Sequence, residues 1–181
     1  TKNVEWGAIA YLAHSKYGLN GEEICINTNS SFITGVGSDT TDSTTSVTDK
    51  YNTVNGVTAS TTRNVYGIYD MSGGSWEYVA ACLSGYTDKL TSDSAYISKY
   101  IDVCDNYISE NFGDAVFETS TNSSKNNSWF SDWSIFVYSD YPVFRRGGDH
   151  INGFSAGLFG FDNDDGNNYR YNGFRPVCIV K

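Results

Sequence analysis

The side chains that could act as nucleophiles, bases or metal ligands are few and widely spaced in this chain. Cys25, Cys82, Cys104 and Cys178 form no Cys-x-x-Cys or Cys/His ligand pattern, which argues against a zinc site. Two disulfides or buried free thiols fit their spacing equally well. His14 lies in a segment of helical pattern, where packing or solvation is its expected role. His150 lies in a polar interval, where a contact role fits better than base catalysis. Asp140 or Asp149 could supply one carboxylate of a glycoside-hydrolysing pair, yet nothing in the sequence fixes the distance to a second. The run from Asp162 to Asn167 is close to a calcium loop. Its Gly166 comes too early for the EF-hand pattern and the terminal Glu is missing, so a solvated acidic loop is expected.

Recognition is more legible than catalysis. The blocks Phe144-Arg145-Arg146-Gly147-Gly148, Ala156-Gly157-Leu158-Phe159 and Gly173-Phe174-Arg175-Pro176-Val177 join small residues, for close backbone approach, to apolar ones for burial. Between them lie intervals of Tyr, Asn, Ser, Gly and Asp, a mixture like that of a paratope: rigid amphipathic rings supply area and small polar groups supply adaptable hydrogen bonds. The competing reading is an ordinary Gly/Asn-rich surface loop. From Asp149 to Asn172 there is no Lys, Glu, Gln, Met or Trp. These are the residue types that no pyrimidine-ending codon encodes, so every residue present can descend from an Asn codon by changes in its first two bases. The expected contact residues are Asp149, His150, Ile151, Asn152, Phe154, Ser155, Phe161, Asp162, Asn163, Asp164, Asp165, Asn167, Asn168, Tyr169, Arg170, Tyr171 and Asn172. Aromatic members should carry most of the binding energy and polar members the selectivity.

These intervals need a scaffold, and 181 residues with 39% apolar and 15% aromatic content suffice for one domain, 1–181, with a buried core. A net charge of −9, with Arg145-Arg146 as the one adjacent basic pair, argues against nucleic acid as partner. No apolar run approaches a membrane span and no signal peptide is visible. A start at Thr1 rather than Met suggests a processed product or an excised fragment.

Asn3 is expected to cap a helix from about Val4 to Tyr17 that buries Trp6, Ile9, Ala10, Ala13 and Tyr17, with Gly18 as its left-handed C-terminal cap. About 28–62 reads as a long surface insertion. A second helix is predicted near Ser94 to Cys104, loop from Asn106 to Ser128, strand from Trp129 to Arg146, and a closing strand from Phe174 to Val180.

The segment Asn64-Val65-Tyr66-Gly67-Ile68-Tyr69-Asp70-Met71-Ser72-Gly73-Gly74-Ser75-Trp76-Glu77-Tyr78, followed by Arg146-Gly147-Gly148 and Gly173-Phe174-Arg175, resembles the formylglycine-generating-enzyme-like (sulfatase-modifying-factor) branch of the C-type lectin fold. Within that branch, polar intervals around Ala156-Gly157-Leu158-Phe159 look like those of the variable proteins of diversity-generating retroelements. The resemblance implies an α+β, C-type-lectin-like domain with long irregular insertions and a variable ligand-binding region at about 149–172. It further implies an extracellular, cell-surface or virion setting, a protein or glycan ligand on a target surface, and a monomeric domain within a larger displayed protein. The family's motif often holds structural calcium, which makes Glu77 a candidate ligand. Gly74 replaces the motif's Asn, and the competing role for Glu77 is an ion pair with a scaffold arginine such as Arg175. Formylglycine-generating enzymes need a reactive cysteine shortly after the third block, where this chain has Asp149-His150-Ile151-Asn152-Gly153-Phe154. No catalytic residue is therefore assigned. Cys178 is expected in a core strand. The Glu-Pro-Asn and Gln-Pro-Asp tripeptides of calcium-dependent sugar-binding lectins do not occur. The rival to a receptor or adhesin is a structural pilus-like or virion-tip subunit that only packs against neighbours.

Overall fold

The computed structural model describes residues 1–30, 36–37, 49–54, 56–105, 112–120 and 126–178. Its fold is α+β, with a mixed sheet and few helices. The first helix, α1 (Asn3–His14), buries Trp6, Ala10 and Ala13. Asn3 does not cap it: its side-chain amide turns inward and donates to Asp114. Capping falls instead to Glu5, which accepts from the Lys2 amide at 2.7 Å, and to the distant Asp102, which accepts from the Val4 amide at 2.9 Å. The helix also stops earlier than its pattern suggests. Tyr17 is exposed, and Gly18 is needed for close approach, since a Cβ there would fall 2.2 Å from the Ala13 carbonyl oxygen. The left-handed residues of this turn are Asn20 and Gly21.

Short strands β1 (Val36–Gly37) and β2 (Asp49–Lys50) pair antiparallel within the insertion. Most of the remainder of that insertion lies outside the described residues, although Ala59, Ser60 and Thr61 near its end are buried. The central strand β3 (Trp76–Leu83) precedes α2 (Ser94–Tyr100) and β4 (Asp102–Cys104). The second predicted helix is thus half helix and half strand. Asp93 caps α2 by accepting from the Ala95 and Tyr96 amides, and β4 runs parallel to β3. Residues 112–120, expected as loop, are irregular but not superficial: Asp114, Ala115, Val116 and Thr119 are buried.

The expected long strand at 129–146 is interrupted. A 3₁₀ turn at Trp129–Ser131 places Phe130 and Ser131 at positive φ, and the continuous strand is only β5 (Val143–Gly147). Pro142 before it has no amide to give a ladder. Then come β6 (Gly157–Asp164), antiparallel to β5, and β7 (Asn172–Phe174), parallel to β3. The sheet order is β4-β3-β5-β6, with β7 also beside β3. The closing strand ends at Phe174 because Arg175 turns aside: its carbonyl accepts from the Thr1 ammonium at 2.8 Å, and Pro176 lacks a donor. Cys178 is accordingly exposed rather than in a core strand; residues 179–181 lie outside the described part.

The core packs Trp6, Ile24, Met71, Phe144, Leu158, Phe159 and Phe161 between α1 and the sheet. Trp6 donates from its indole to the Leu158 carbonyl at 2.8 Å, which pins the helix to β6. No helix among the described residues is long and apolar enough to cross a membrane.

Candidate ligand-binding surface

The polar intervals become two loops. One, 148–156, links β5 to β6; the other, 165–171, carries the chain from β6 across to β7 on the far side of β3 and β5. Glycine makes the first turn feasible. Gly148 has φ +75°, and a Cβ on it would lie 2.7 Å from the Ala156 Cα. Inside this loop the Asp149 carboxylate accepts from the Ile151 amide, and the Asn152 side chain accepts from the Asp149 amide at 2.7 Å, closing a local turn. His150 turns under the loop, its ring and its amide both against the Gly74 carbonyl. Asp149 and His150 are therefore buried supports, while Ile151 and Phe154 project with 73% and 65% exposure.

The second loop is built on Asp165, whose carboxylate accepts from the Asn167 amide at 2.9 Å, the Asn167 side chain and the Tyr169 hydroxyl. Those bonds, led by the Asn167 amide, hold its carboxyl below the usual range, and Tyr169 is raised by donating to it. Asn167, Asn168, Tyr169 and Arg170 face solvent; Asp165, Tyr171 and Asn172 are half-buried, as are Asn152, Ser155 and Asn163. Tyr171 meets His150 edge to face, with ring centroids 5.0 Å apart, so the two loops touch.

Besides Asp149 and His150, three more of the expected contact residues belong to the scaffold. Phe161 is fully buried in the core against Phe136 and Phe144, which corrects its reading as a ligand contact: it occupies the inward-facing pleat of β6. Asp162 and Asp164 are buried carboxylates held by Arg145, at 2.5 Å and 3.0 Å. Arg145 also donates to Asn172 and lies over the Trp76 ring at 4.9 Å. Tyr78 completes the cluster by donating to Asp164 at 2.5 Å while accepting from Asn172; burial first, then Asp164, raises its hydroxyl above the usual value. This lattice of β3, β5, β6 and β7 side chains forms the platform from which the 165–171 loop springs.

The sheet face carrying Glu77 is equally engaged. Glu77 is buried together with its neighbour Trp76, against the alternation expected of a one-sided strand, because β3 is covered on both faces. Arg175 grips its carboxylate with both arms, at 2.5 Å and 2.8 Å, and adds bonds to the Tyr69 and Asp70 carbonyls. Burial still outweighs that pairing and raises the Glu77 carboxyl. No group of His, Cys, Asp and Glu side chains among the described residues has a geometry suited to a metal ion. The cysteines are all free thiols: Cys82 and Cys104 are buried, and burial pushes the Cys82 thiol up to about 11.

One polar group escapes sequence reasoning altogether. Arg146, read only as part of a glycine-containing block, is fully buried over the Trp6 and Phe161 rings and donates to the Ala115 carbonyl. The Asp114, Asp132 and Glu118 carboxylates surround it electrostatically, while burial lowers its guanidinium to about 10. Asp132 accepts from the Phe159 amide at 2.9 Å and lies within electrostatic reach of Glu23. Burial first, then the Glu23 carboxylate, raises Asp132 well above the carboxylate range.

Comparison of the chain with protein-family models, with curated proteins and with solved structures yields no match in any of the three. The functional reading therefore rests on the chain's own residues.

Proposed function

We propose that this chain is a ligand-binding, receptor-type domain with a C-type-lectin-like fold of the formylglycine-generating-enzyme-like branch, and that it is a variable protein diversified by a retroelement. The observation that carries this reading is the separation of roles along 145–175. Phe159 and Phe161 fill the core and Arg145 clamps Asp162 and Asp164, while Ile151, Phe154, Asn167, Asn168, Tyr169 and Arg170 project from two loops that meet at His150 and Tyr171. Side chains in that outward set can be exchanged with little effect on folding, as a diversified contact surface requires. Large exposed apolar groups beside small polar ones suit a protein or glycan on a target surface. The extracellular, cell-surface or virion setting follows from the same reading, as does a non-enzymatic role.

Two measurements test it. The coding DNA should have pyrimidine third bases throughout codons 149–172, with a near-copy of the segment close to a reverse-transcriptase gene. A library randomised at the six projecting positions should keep the parental melting temperature in most members and yield binders to arbitrary protein targets. Widespread unfolding of the library would end the proposal, and purine third bases in those codons would remove the retroelement. Concentration-dependent self-assembly through these loops would instead indicate a structural subunit.

A further inference from the structure

Away from the two loops, α1 and the turn at Trp129–Ser131 border an open recess of about 280 Å³, lined by His14, Gly21, Trp129 and Phe130. Its size is near the lower bound for small-molecule sites. We propose that it binds a methylated ammonium group, such as a trimethylammonium head. None of its residues lies within 149–172, so it stands or falls independently of the reading above.

The walls are aromatic and mutually tilted. His14 has its ring centroid 5.4 Å from that of Trp129 at 50°, and 5.4 Å from that of Phe130 at 74°. A flat ligand, such as a sugar face or a second ring, can lie parallel to only one of these planes. A compact, roughly spherical cation can meet several ring faces at once, which is the geometry of cation–π recognition. The walls are also held in advance of binding. Trp129 packs on Phe159 at 5.1 Å and edge-on to Tyr11 at 85°, and Phe130 stacks on Phe159 at 6.0 Å and 20°. Phe159 is fully buried.

One feature opposes a purely structural account of this turn. Phe130 and Ser131 adopt φ of +61° and +68°, an unfavourable conformation for residues with a Cβ, and the ring so positioned remains 39% exposed, like Trp129 at 40%. Charge favours a cation over a neutral or anionic guest. The chain carries −9, and the Glu118 carboxylate acts on Tyr11, the ring that meets Trp129 edge-on.

The test is a titration of the full chain, followed by NMR at the Trp129 indole, with tetramethylammonium, phosphocholine and a peptide containing trimethyllysine. The neutral isostere 3,3-dimethylbutan-1-ol serves as comparator. Tetramethylammonium should shift the Trp129 signal saturably, and the neutral isostere should bind about tenfold more weakly. Preference for phosphocholine or for the peptide then identifies the source of the head group. Phe130→Gly, which removes the ring and relieves the left-handed backbone, should abolish binding without lowering the melting temperature, whereas Phe130→Tyr should retain it. Equal affinity for the neutral isostere, or no shift at Trp129 with any cation at millimolar concentration, overturns the proposal.

Discussion

His150 and Tyr171 lie edge to face with their centroids 5.0 Å apart, although they belong to loops separated by the whole of β6. This contact makes one surface of two segments, and His150 is itself fixed from below by the Gly74 carbonyl. Tyr171→Ala should therefore lower stability by about 1 kcal/mol and speed amide exchange in both loops together. Truncating exposed Tyr169 or Ile151 should leave stability within about 0.5 kcal/mol. Equal protection of the loops in Tyr171→Ala and parental protein, measured by hydrogen exchange, would mean that the ring pair does not couple them.

Arg145 satisfies Asp162, Asp164 and Asn172 from the middle of the sheet face. Arg145→Ala leaves two buried carboxylates facing each other without a counter-charge, and should cost about 3 to 5 kcal/mol in denaturant unfolding. Arg170, which covers Tyr171 at 4.6 Å from solvent, should be replaceable with Ala at a cost below about 1 kcal/mol. Comparable losses for the two variants would refute this division between platform and contact surface.

That division was only partly legible in the residues themselves. The first two glycine-bearing blocks announced a buried frame, whereas the third supplies only Arg175 to it, since Phe174 and Val177 are exposed at 79% and 47%; the Glu77–Arg175 pair was foreseeable as the ordinary alternative to a calcium ligand. Composition could not separate Asp162 and Asp164 from Asp165. All three are acidic residues of one polar run, and only the pairing of β6 with β5 turns the first two toward Arg145. Phe161 was misread for the same reason, because a strand register is needed to know which pleat faces inward. The helix boundary at Asn3 failed because tertiary contacts, Asp102 outside and Asp114 inside, replaced the local cap. The recess at Trp129 left no sequence signal beyond two adjacent aromatics, since its third wall comes from α1.

Stability should also depend on pH through the desolvated carboxyls of Glu23 and Asp114. Burial pushes the Glu23 carboxyl from an ordinary 4.5 up to about 7, and that of Asp114 from 3.8 up to about 6. A carboxyl raised in the folded state binds its proton more tightly there. Its contribution is complete below the unfolded value and is lost as pH rises through the folded one. The melting temperature should thus fall by several degrees between about pH 5 and pH 8, on the order of 1 to 3 kcal/mol for Glu23. The −9 charge contributes a slope of the same sign, so Glu23→Gln is the decisive comparison. It should flatten the profile between about pH 4.5 and pH 7, and an unchanged slope would exclude Glu23 as the titrating group.

The Glu77–Arg175 pair leads to a prediction about metal. Arg175 takes both Glu77 oxygens, at 2.5 Å and 2.8 Å, and its guanidinium is anchored by the Tyr69 and Asp70 carbonyls and lies 5.9 Å from the Trp6 ring. A calcium ion at Glu77 would have to displace a bidentate cation already satisfied on its other side, with Gly74 offering no side-chain ligand nearby in the motif. Millimolar calcium or a chelator should therefore leave the melting temperature unchanged. Glu77→Gln and Arg175→Met should each cost about 3 to 5 kcal/mol, because either strands the partner's charge in a buried setting. In the double variant much of that loss should be recovered, the signature of a pair whose members are needed chiefly for one another. Strong calcium stabilisation that Glu77→Gln removes would place the metal, and not Arg175, as the partner this carboxylate serves.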